Sequence, residues 1–349
     1  MNREAAMTVR SAEEFFAVLE KSNLLIPAQL AQARSEAAAS DNPRTIAKNL
    51  AHQNLITRWQ AGQLLAGRSS FYLGKYRLIE LLGRGGIGSA FLAEHVTMNR
   101  RVVLRVLSRQ VSMDPTLLDH FLAEARGVSA LDHPNIVHAY SIDNEAQRYY
   151  LVMEYVEGVD VEQLVKRDGP LDCDRAVEYI RQAADGLDYA HQRNMSHGNL
   201  KPSNLLVNAQ GVVKILDLGL ARFAAGEAKT ADQGQPALGS VDDLARRADI
   251  CALGCTFYFL LTGQPPFPQE TPSAGAAEQP TQEPPDVRQQ RPNVPAELAA
   301  ICQKMMAKKP ADGYATAAEA SHALVQWRAS MPRLKRATPF PRAKPLEEP

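Results

Sequence analysis

Three glycines stand at G-x-G-x-x-G spacing in the run Gly83-Arg84-Gly85-Gly86-Ile87-Gly88. Such spacing lets backbone N–H groups approach phosphate oxygens, since no Cβ stands in the way. An ordinary glycine-rich hairpin turn would look the same. A short way on, Arg105 interrupts the apolar run Val102-Val103-Leu104-Arg105-Val106-Leu107, and Glu124 interrupts the apolar stripe of Leu117, Phe121 and Val128. A buried charge is costly unless one of opposite sign meets it. Arg105 and Glu124 are therefore expected to form an ion pair, which would couple a strand to the helix that follows. A third group of polar side chains lies in Ser196-His197-Gly198-Asn199-Leu200-Lys201-Pro202-Ser203-Asn204 and, beyond a hairpin, in Leu216-Asp217-Leu218-Gly219.

These residues need regular elements to hold them. Tyr76-Arg77-Leu78-Ile79-Glu80-Leu81-Leu82 and Ser89-Ala90-Phe91-Leu92-Ala93 have strand character on either side of the glycines, and 101–107 makes a third strand. A dinucleotide fold would instead set the glycines between a strand and a helix. Asp114-Pro115 supplies an N-cap and a first-turn proline for the helix that carries Glu124. Beyond Val156 the pattern is mainly helical, with long helices predicted over 172–192, 242–261, 296–308 and 316–328. A hairpin, Leu205-Leu206-Val207 with 212–216, interrupts them around Asn208-Ala209-Gln210-Gly211.

Ahead of the strands, 11–67 reads as three or four short helices. They begin at Ser11-Ala12-Glu13-Glu14, where Ser11 can cap and Glu14 can return the bond as a capping box. Phe15, Phe16, Leu19, Leu30, Leu50, Leu55, Trp59 and Leu64 supply apolar faces to join the helices. The module is either a cap on the neighbouring domain or a docking site through which residues 11–67 meet an unidentified protein partner. The Pro-rich stretch 268–295 and the tail from Met331 lack periodicity and are expected to be loop and disordered tail. The expected division is 1–70 helical accessory module, 75–156 and 157–329 two lobes of one domain, and 330–349 tail.

Lys plus Arg equal Asp plus Glu at 39 each, so no overall field draws the chain to nucleic acid or to a membrane surface. Cys173, Cys251, Cys255 and Cys302 fall in apolar stretches without C-x-x-C pairs, which suits reduced thiols in core positions. Nothing near Met1 reads as a signal peptide, and no apolar run approaches the ~20 residues of a membrane span. A soluble, cytoplasmic protein is the expectation.

Taken in order, the glycine loop, the strand cation, the helix glutamate, Leu151-Val152-Met153-Glu154-Tyr155, the 196–204 frame and Asp217-Leu218-Gly219 resemble the protein-kinase family over roughly 76–328. His133-Pro134-Asn135-Ile136-Val137 and Leu261-Thr262-Gly263-Gln264-Pro265-Pro266-Phe267 look like the bacterial serine/threonine members. The resemblance implies an α+β, two-lobed kinase fold, with an antiparallel N-lobe sheet plus one helix and a mainly helical C-lobe. It implies ATP and Mg2+ as ligands. Gly83, Gly85, Gly88 and Arg105 would face the phosphates, with Glu124 pairing Arg105. Ala90 and Val103 would roof the adenine, Leu206 would floor it, and the Glu154 carbonyl and Val156 amide would bind it beside the gatekeeper Met153. Asn204 and Asp217 match the metal ligands, Lys201 the catalytic-loop lysine, and Asp249 the residue that holds the loop's backbone. His197, Leu218, Val128 and Ala139 match the internal stack.

The departures fall on the chemistry. The family's phosphate-holding lysine is Arg105, a wider planar fork. The family's catalytic aspartate is Asn199, and an amide cannot accept the substrate hydroxyl proton. The preceding arginine is Gly198, so phosphorylation at Thr230 or Ser240 would lack its usual acceptor. Between Gly219 and Asp249 there is no Ala-Pro-Glu segment, and the arginine that would pair with its glutamate is Gly313. The expectation is an ATP- and magnesium-binding pseudokinase that binds weakly and regulates or scaffolds a partner. A weakly active kinase and a nucleotide-free interaction module are the alternatives.

Overall fold

The structure, a computed structural model, describes residues 9–37, 41–220, 243–267 and 283–331. Thr230, Ser240, the 238–242 run, most of 268–295 and the tail after Met331 lie outside the described residues.

The chain opens with four short helices, α1 (Ala12–Ser22), α2 (Pro27–Ala37), α3 (Pro43–His52) and α4 (Arg58–Leu65). Phe15, Phe16, Leu19, Ile46, Ala47, Leu50, Ala61 and Leu64 form their shared core, which Phe71 completes. Only half of the capping box expected at α1 forms. The Ser11 hydroxyl accepts from Glu14 N–H, but the Glu14 carboxylate accepts from Arg10 N–H, one residue outside the cap. The complete box belongs to α4, where Thr57 Oγ1 accepts from Gln60 N–H and Gln60 Oε1 accepts from Thr57 N–H.

Next come β1 (Tyr72–Leu73), β2 (Tyr76–Arg84), β3 (Gly88–His95) and β4 (Arg100–Leu107), followed by α5 (Arg109–Met113), α6 (Pro115–Ser129), β5 (Ala139–Glu145) and β6 (Arg148–Glu154). The strands form a sheet in the order β1-β2-β3-β4-β6-β5. The pairing of β2 with β3 slips between Leu78 and Glu80 and again between Leu81 and Gly83, so β2 carries two bulges before the glycine loop. Asp114 caps α6 by accepting from Thr116 and Leu117 N–H, with Pro115 in the first turn.

The remainder is β7 (Gly158–Asp160), α7 (Val161–Asp168), α8 (Cys173–His191), β8 (Leu205–Asn208), β9 (Val213–Ile215), α9 (Asp243–Thr262), α10 (Ala296–Met305) and α11 (Ala317–Ser330). Asp160, Asp172 and Thr316 cap α7, α8 and α11. β7 adds a third strand to the β8–β9 hairpin, and among the described residues of the run expected to be loop, Val287–Gln289 forms a 3-10 turn. All four cysteines are free thiols, with Cys302 fully buried. No helix among the described residues is long and apolar enough to cross a membrane.

The chain divides into two compact units, one of residues 1–112 and 142–155 and the other of 113–141 and 156–349. The N-terminal helices therefore belong to the same unit as the glycine-loop strands, while α6 clusters with the helical unit.

Candidate functional site

In the sheet unit, register fixes which side chains share a face. Ala90 lies opposite Arg105, Val103 opposite Met153, and Arg105 opposite Leu151. Directly paired residues point the same way, so Ala90, Val103, Arg105 and Met153 project from one face and Phe91, Val102, Leu104 and Val152 from the other. The glycine loop joins β2 to β3 through reciprocal bonds, Gly85 N–H to Gly88 O at 2.8 Å and Gly88 N–H to Gly85 O at 3.1 Å. Its glycines are not equivalent. A Cβ on Gly88 would fall 2.0 Å from the Val106 carbonyl oxygen, so the fold itself demands glycine there. On Gly83 or Gly85 a Cβ would meet nothing within 4 Å, so packing leaves those positions open to approach by a ligand. The chain leaves this unit after Tyr155, with Glu154 at the end of β6 and Val156 at the start of the second stretch of the other unit.

The helical unit holds the polar residues of 196–204 and 216–219. Asp249, on α9 and 2% exposed, accepts from His197 N–H at 2.7 Å, from Gly198 N–H at 2.8 Å, and meets His191 Nε2 at 2.9 Å. His197 in turn accepts from Asn199 N–H at Nδ1 (3.3 Å), which leaves Nε2–H to donate to the Leu216 carbonyl at 2.9 Å. Burial pushes the His197 pKa down, consistent with this neutral tautomer. Leu216 N–H donates to the Asn204 carbonyl at 2.9 Å, so the segment leading into Asp217 is bonded on both sides to the 197–204 loop. Asn204 Nδ2 donates to the Asn199 carbonyl at 2.9 Å, which leaves Oδ1 as the acceptor of that amide. The loop bonds of Asn199 run through its backbone, and its side chain is exposed, as is Lys201. Gly198 and Gly219 adopt φ of +77° and +73°, and Asp217 takes φ +54°, a left-handed conformation that aspartate tolerates.

Glu124 lies in this unit too. Its Oε2 sits 3.3 Å from where a Cβ on Gly219 would be, with Met195 and Val128 completing the crowd. Val128, Ala139, His197 and Leu218 are all buried. Leu206, on β8, is half-buried and pairs with Lys214.

Residues 76–324 match the protein kinase domain family. The chain belongs to the protein kinase family. Among its relatives are serine/threonine-protein kinase PknB of Mycobacterium tuberculosis, 34% identical over 267 residues covering 72% of this chain and 42% of the relative. PrkC of Bacillus subtilis is 34% identical over 254 residues, 70% of this chain and 39% of that one. The chain thus spans about two fifths of the length of these curated relatives. Among solved structures, the M. tuberculosis PknI kinase domain matches with a TM-score of 0.57 at 25% identity, covering 73% of this chain and 96% of that one. The resemblance to bacterial serine/threonine kinases and the two-lobed α+β fold both hold.

The 197–204 loop is held by hydrogen bonds from α9 and from within the loop itself. Asp249 clamps the backbone just ahead of Asn199. Where the family's arginine would reach the α9 side, Gly313 has room for a side chain, its nearest neighbour being Ala307 Cβ at 3.6 Å. A different tether serves there: Arg247 of α9 donates from Nη1 to the Pro310 carbonyl at 2.9 Å. Sequence reasoning missed Arg247 because a side chain bonded to a backbone carbonyl leaves no complementary residue to find. It missed His191 as well, since a histidine closing an amphipathic helix reads as an ordinary helix end.

Proposed function

We propose that this chain is a magnesium- and ATP-binding member of the kinase family with impaired phosphoryl transfer, acting on a protein partner as a regulator or scaffold. The observation that supports this most is the double bonding of Leu216. It brings Asn204 and the segment bearing Asp217 together beside a loop in which Asn199 stands at the base's position. Two hard oxygen donors from one site suit Mg2+, which needs few protein ligands when phosphates supply the rest. When bound, the metal neutralises charge on the phosphates. Gly83 and Gly85 leave backbone open for the phosphates, Arg105 supplies positive charge, Ala90 and Val103 form the adenine roof with Met153 beside them, and Leu206 the floor. Gly88 holds the loop's shape. The Glu154 carbonyl and Val156 N–H read the base. Lys201 positions the transferring group, but Asn199 takes up no proton, and that step typically supplies ~10²–10⁴-fold.

The test pairs a melting curve with a transfer assay. ATP with magnesium is expected to raise the melting temperature and ATP with EDTA to raise it less, since a ligand at ~100 times its Kd stabilises by ~2.7 kcal/mol. Transfer of radiolabelled phosphate is expected well below the ordinary kcat range of ~1–100 s⁻¹. No shift at millimolar magnesium-ATP would leave an interaction module without nucleotide. A kcat within that range would make the chain a working kinase.

A further inference from the structure

The capping box of α4 does more than end a helix. Thr57 and Gln60 each use one polar atom to close the box and have a donor remaining. Thr57 Oγ1–H donates to the Ile79 carbonyl at 2.7 Å, and Gln60 Nε2–H donates to the Leu78 carbonyl at 2.7 Å. Leu78 and Ile79 are where β2 slips its pairing with β3. A bulge frees backbone groups from the ladder, and a freed carbonyl away from water needs a donor. Here both donors come from the N-terminal helices, and Gln60 is 4% exposed. Between these two residues, Trp59 lies edge-on to Phe71 and to Phe91, with ring centroids 5.9 Å apart in each case. Phe91 projects from the sheet face opposite Ala90, one residue along β3. Three side-chain anchors, Thr57, Trp59 and Gln60, therefore grip both strands of the hairpin whose far end is the glycine loop, from the side that faces away from Arg105.

We infer that α4 is a positioning element for the glycine loop, with Thr57 and Gln60 fixing the β2 bulge that aims Gly83 and Gly85. The consequence for nucleotide affinity rests on the nucleotide-binding reading above; the grip on the hairpin does not. A loop that must sit still to present N–H groups gains from an anchor at the base of its strand, because ordering it is then not charged against binding. By linkage, whatever loosens α4 weakens the nucleotide, and bound nucleotide tightens α4.

Two substitutions in the full chain separate this role from helix stability. Gln60→Glu keeps the acceptor that closes the capping box and replaces the donor to Leu78 with an oxygen. Thr57→Asp keeps a strong N-cap and removes the donor to Ile79. As a control, Asn42→Ala removes the side chain that caps α3 by accepting from Arg44 N–H, a cap of a different helix. Hydrogen exchange across 79–91 is read by mass spectrometry, together with the affinity of a fluorescent ATP analogue with magnesium. Gln60→Glu and Thr57→Asp should each speed exchange of the hairpin and weaken the analogue about five-fold or more, while Asn42→Ala leaves both at wild-type values. Unchanged hairpin exchange in both variants overturns the inference, as does equal loosening of the hairpin in Asn42→Ala. Faster exchange with unchanged affinity overturns the link to the nucleotide. If wild type binds no analogue, the proposed function fails and the exchange data still decide whether α4 positions the loop.

Discussion

Removing the carboxylate of Asp249 should release the 197–204 loop. In Asp249→Ala the backbone N–H groups of His197 and Gly198 lose their acceptor, and His191 loses its partner at 2.9 Å. His197 is 1% exposed and Asp249 2%, so water does not readily take the place of the carboxylate. Each buried donor left unsatisfied costs about 1–3 kcal/mol. Two such donors, the His197 N–H and the His191 ring, whose residues are 1% and 4% exposed, give a central value of about 3–4 kcal/mol, a large share of a total stability of about 5–15. For a unit of this size the melting temperature should fall by about 6–15 °C. Asp249→Asn keeps a single acceptor and turns a donor toward the second amide, so its melting point should lie between those of wild type and alanine. Differential scanning fluorimetry gives the order, and hydrogen exchange at His197 and Gly198 shows whether the loss is local. A drop under about 2 °C in Asp249→Ala with both amides still protected would refute the view that this side chain holds the loop.

Gly88→Ala should destabilise the sheet unit, because its Cβ would fall 2.0 Å from the Val106 oxygen. Gly83→Ala should melt like wild type yet bind magnesium-ATP less well, and the two are compared by melting curves with and without nucleotide. His197 has its pKa lowered by burial, so below about 6.5 the unfolded state takes up a proton that the folded state refuses. Stability is therefore full above that pH and falls as the solution is acidified, and His197→Gln should show a shallower drop between pH 7.5 and 5.5 in thermal melts. Asn199→Asp alone should not restore ordinary phosphorylation of a protein substrate, since Arg105 and the missing Ala-Pro-Glu segment stay as they are and such residues act as a unit. A kcat of ~1–100 s⁻¹ in that single variant would be the contrary result.

Much of the frame can be read from local chemistry. Asp114-Pro115, Asp172 and Thr316 announce their helices because an N-cap acts within three residues of itself. The strands either side of the glycines are legible by alternation. The bulges in β2 are not, because they depend on what carbonyls at Leu78 and Ile79 find to bond, and the donors lie some twenty residues earlier in α4. Thr57-x-x-Gln60 has the spacing of a capping box, yet nothing local shows that both side chains reach a strand. At α1 the opposite holds: Ser11 and Glu14 have the spacing, and Glu14 bonds Arg10 instead. Within the site, motif order places Asn199, Asn204 and Asp217 in sequence. Only the fold shows Leu216 bonded to both sides of the loop.

Which residues the fold requires, and which it does not, bears on whether the site is built for a ligand. Asp249 answers buried amides, Gly88 answers the Val106 carbonyl, and Gly219 answers Glu124, Met195 and Val128, so each would be needed in a protein that bound nothing. Gly83 and Gly85 answer no neighbour. Within strand β2, Gly83 costs about 0.5–1 kcal/mol relative to alanine. Gly83 therefore carries that cost with no return in packing, and Gly85 two residues on meets no neighbour either. Backbone that must be approached closely supplies the return, and the approach comes at the end of the hairpin that α4 steadies from its base. An interaction module without nucleotide has no use for that arrangement, since alanine at both positions would fold as well and order the loop more cheaply. The double variant Gly83→Ala with Gly85→Ala is thus expected to match or exceed wild type in melting temperature without nucleotide and to fall below it with magnesium-ATP. Loss of stability in the nucleotide-free protein would place these glycines with Gly88, as parts of the fold alone.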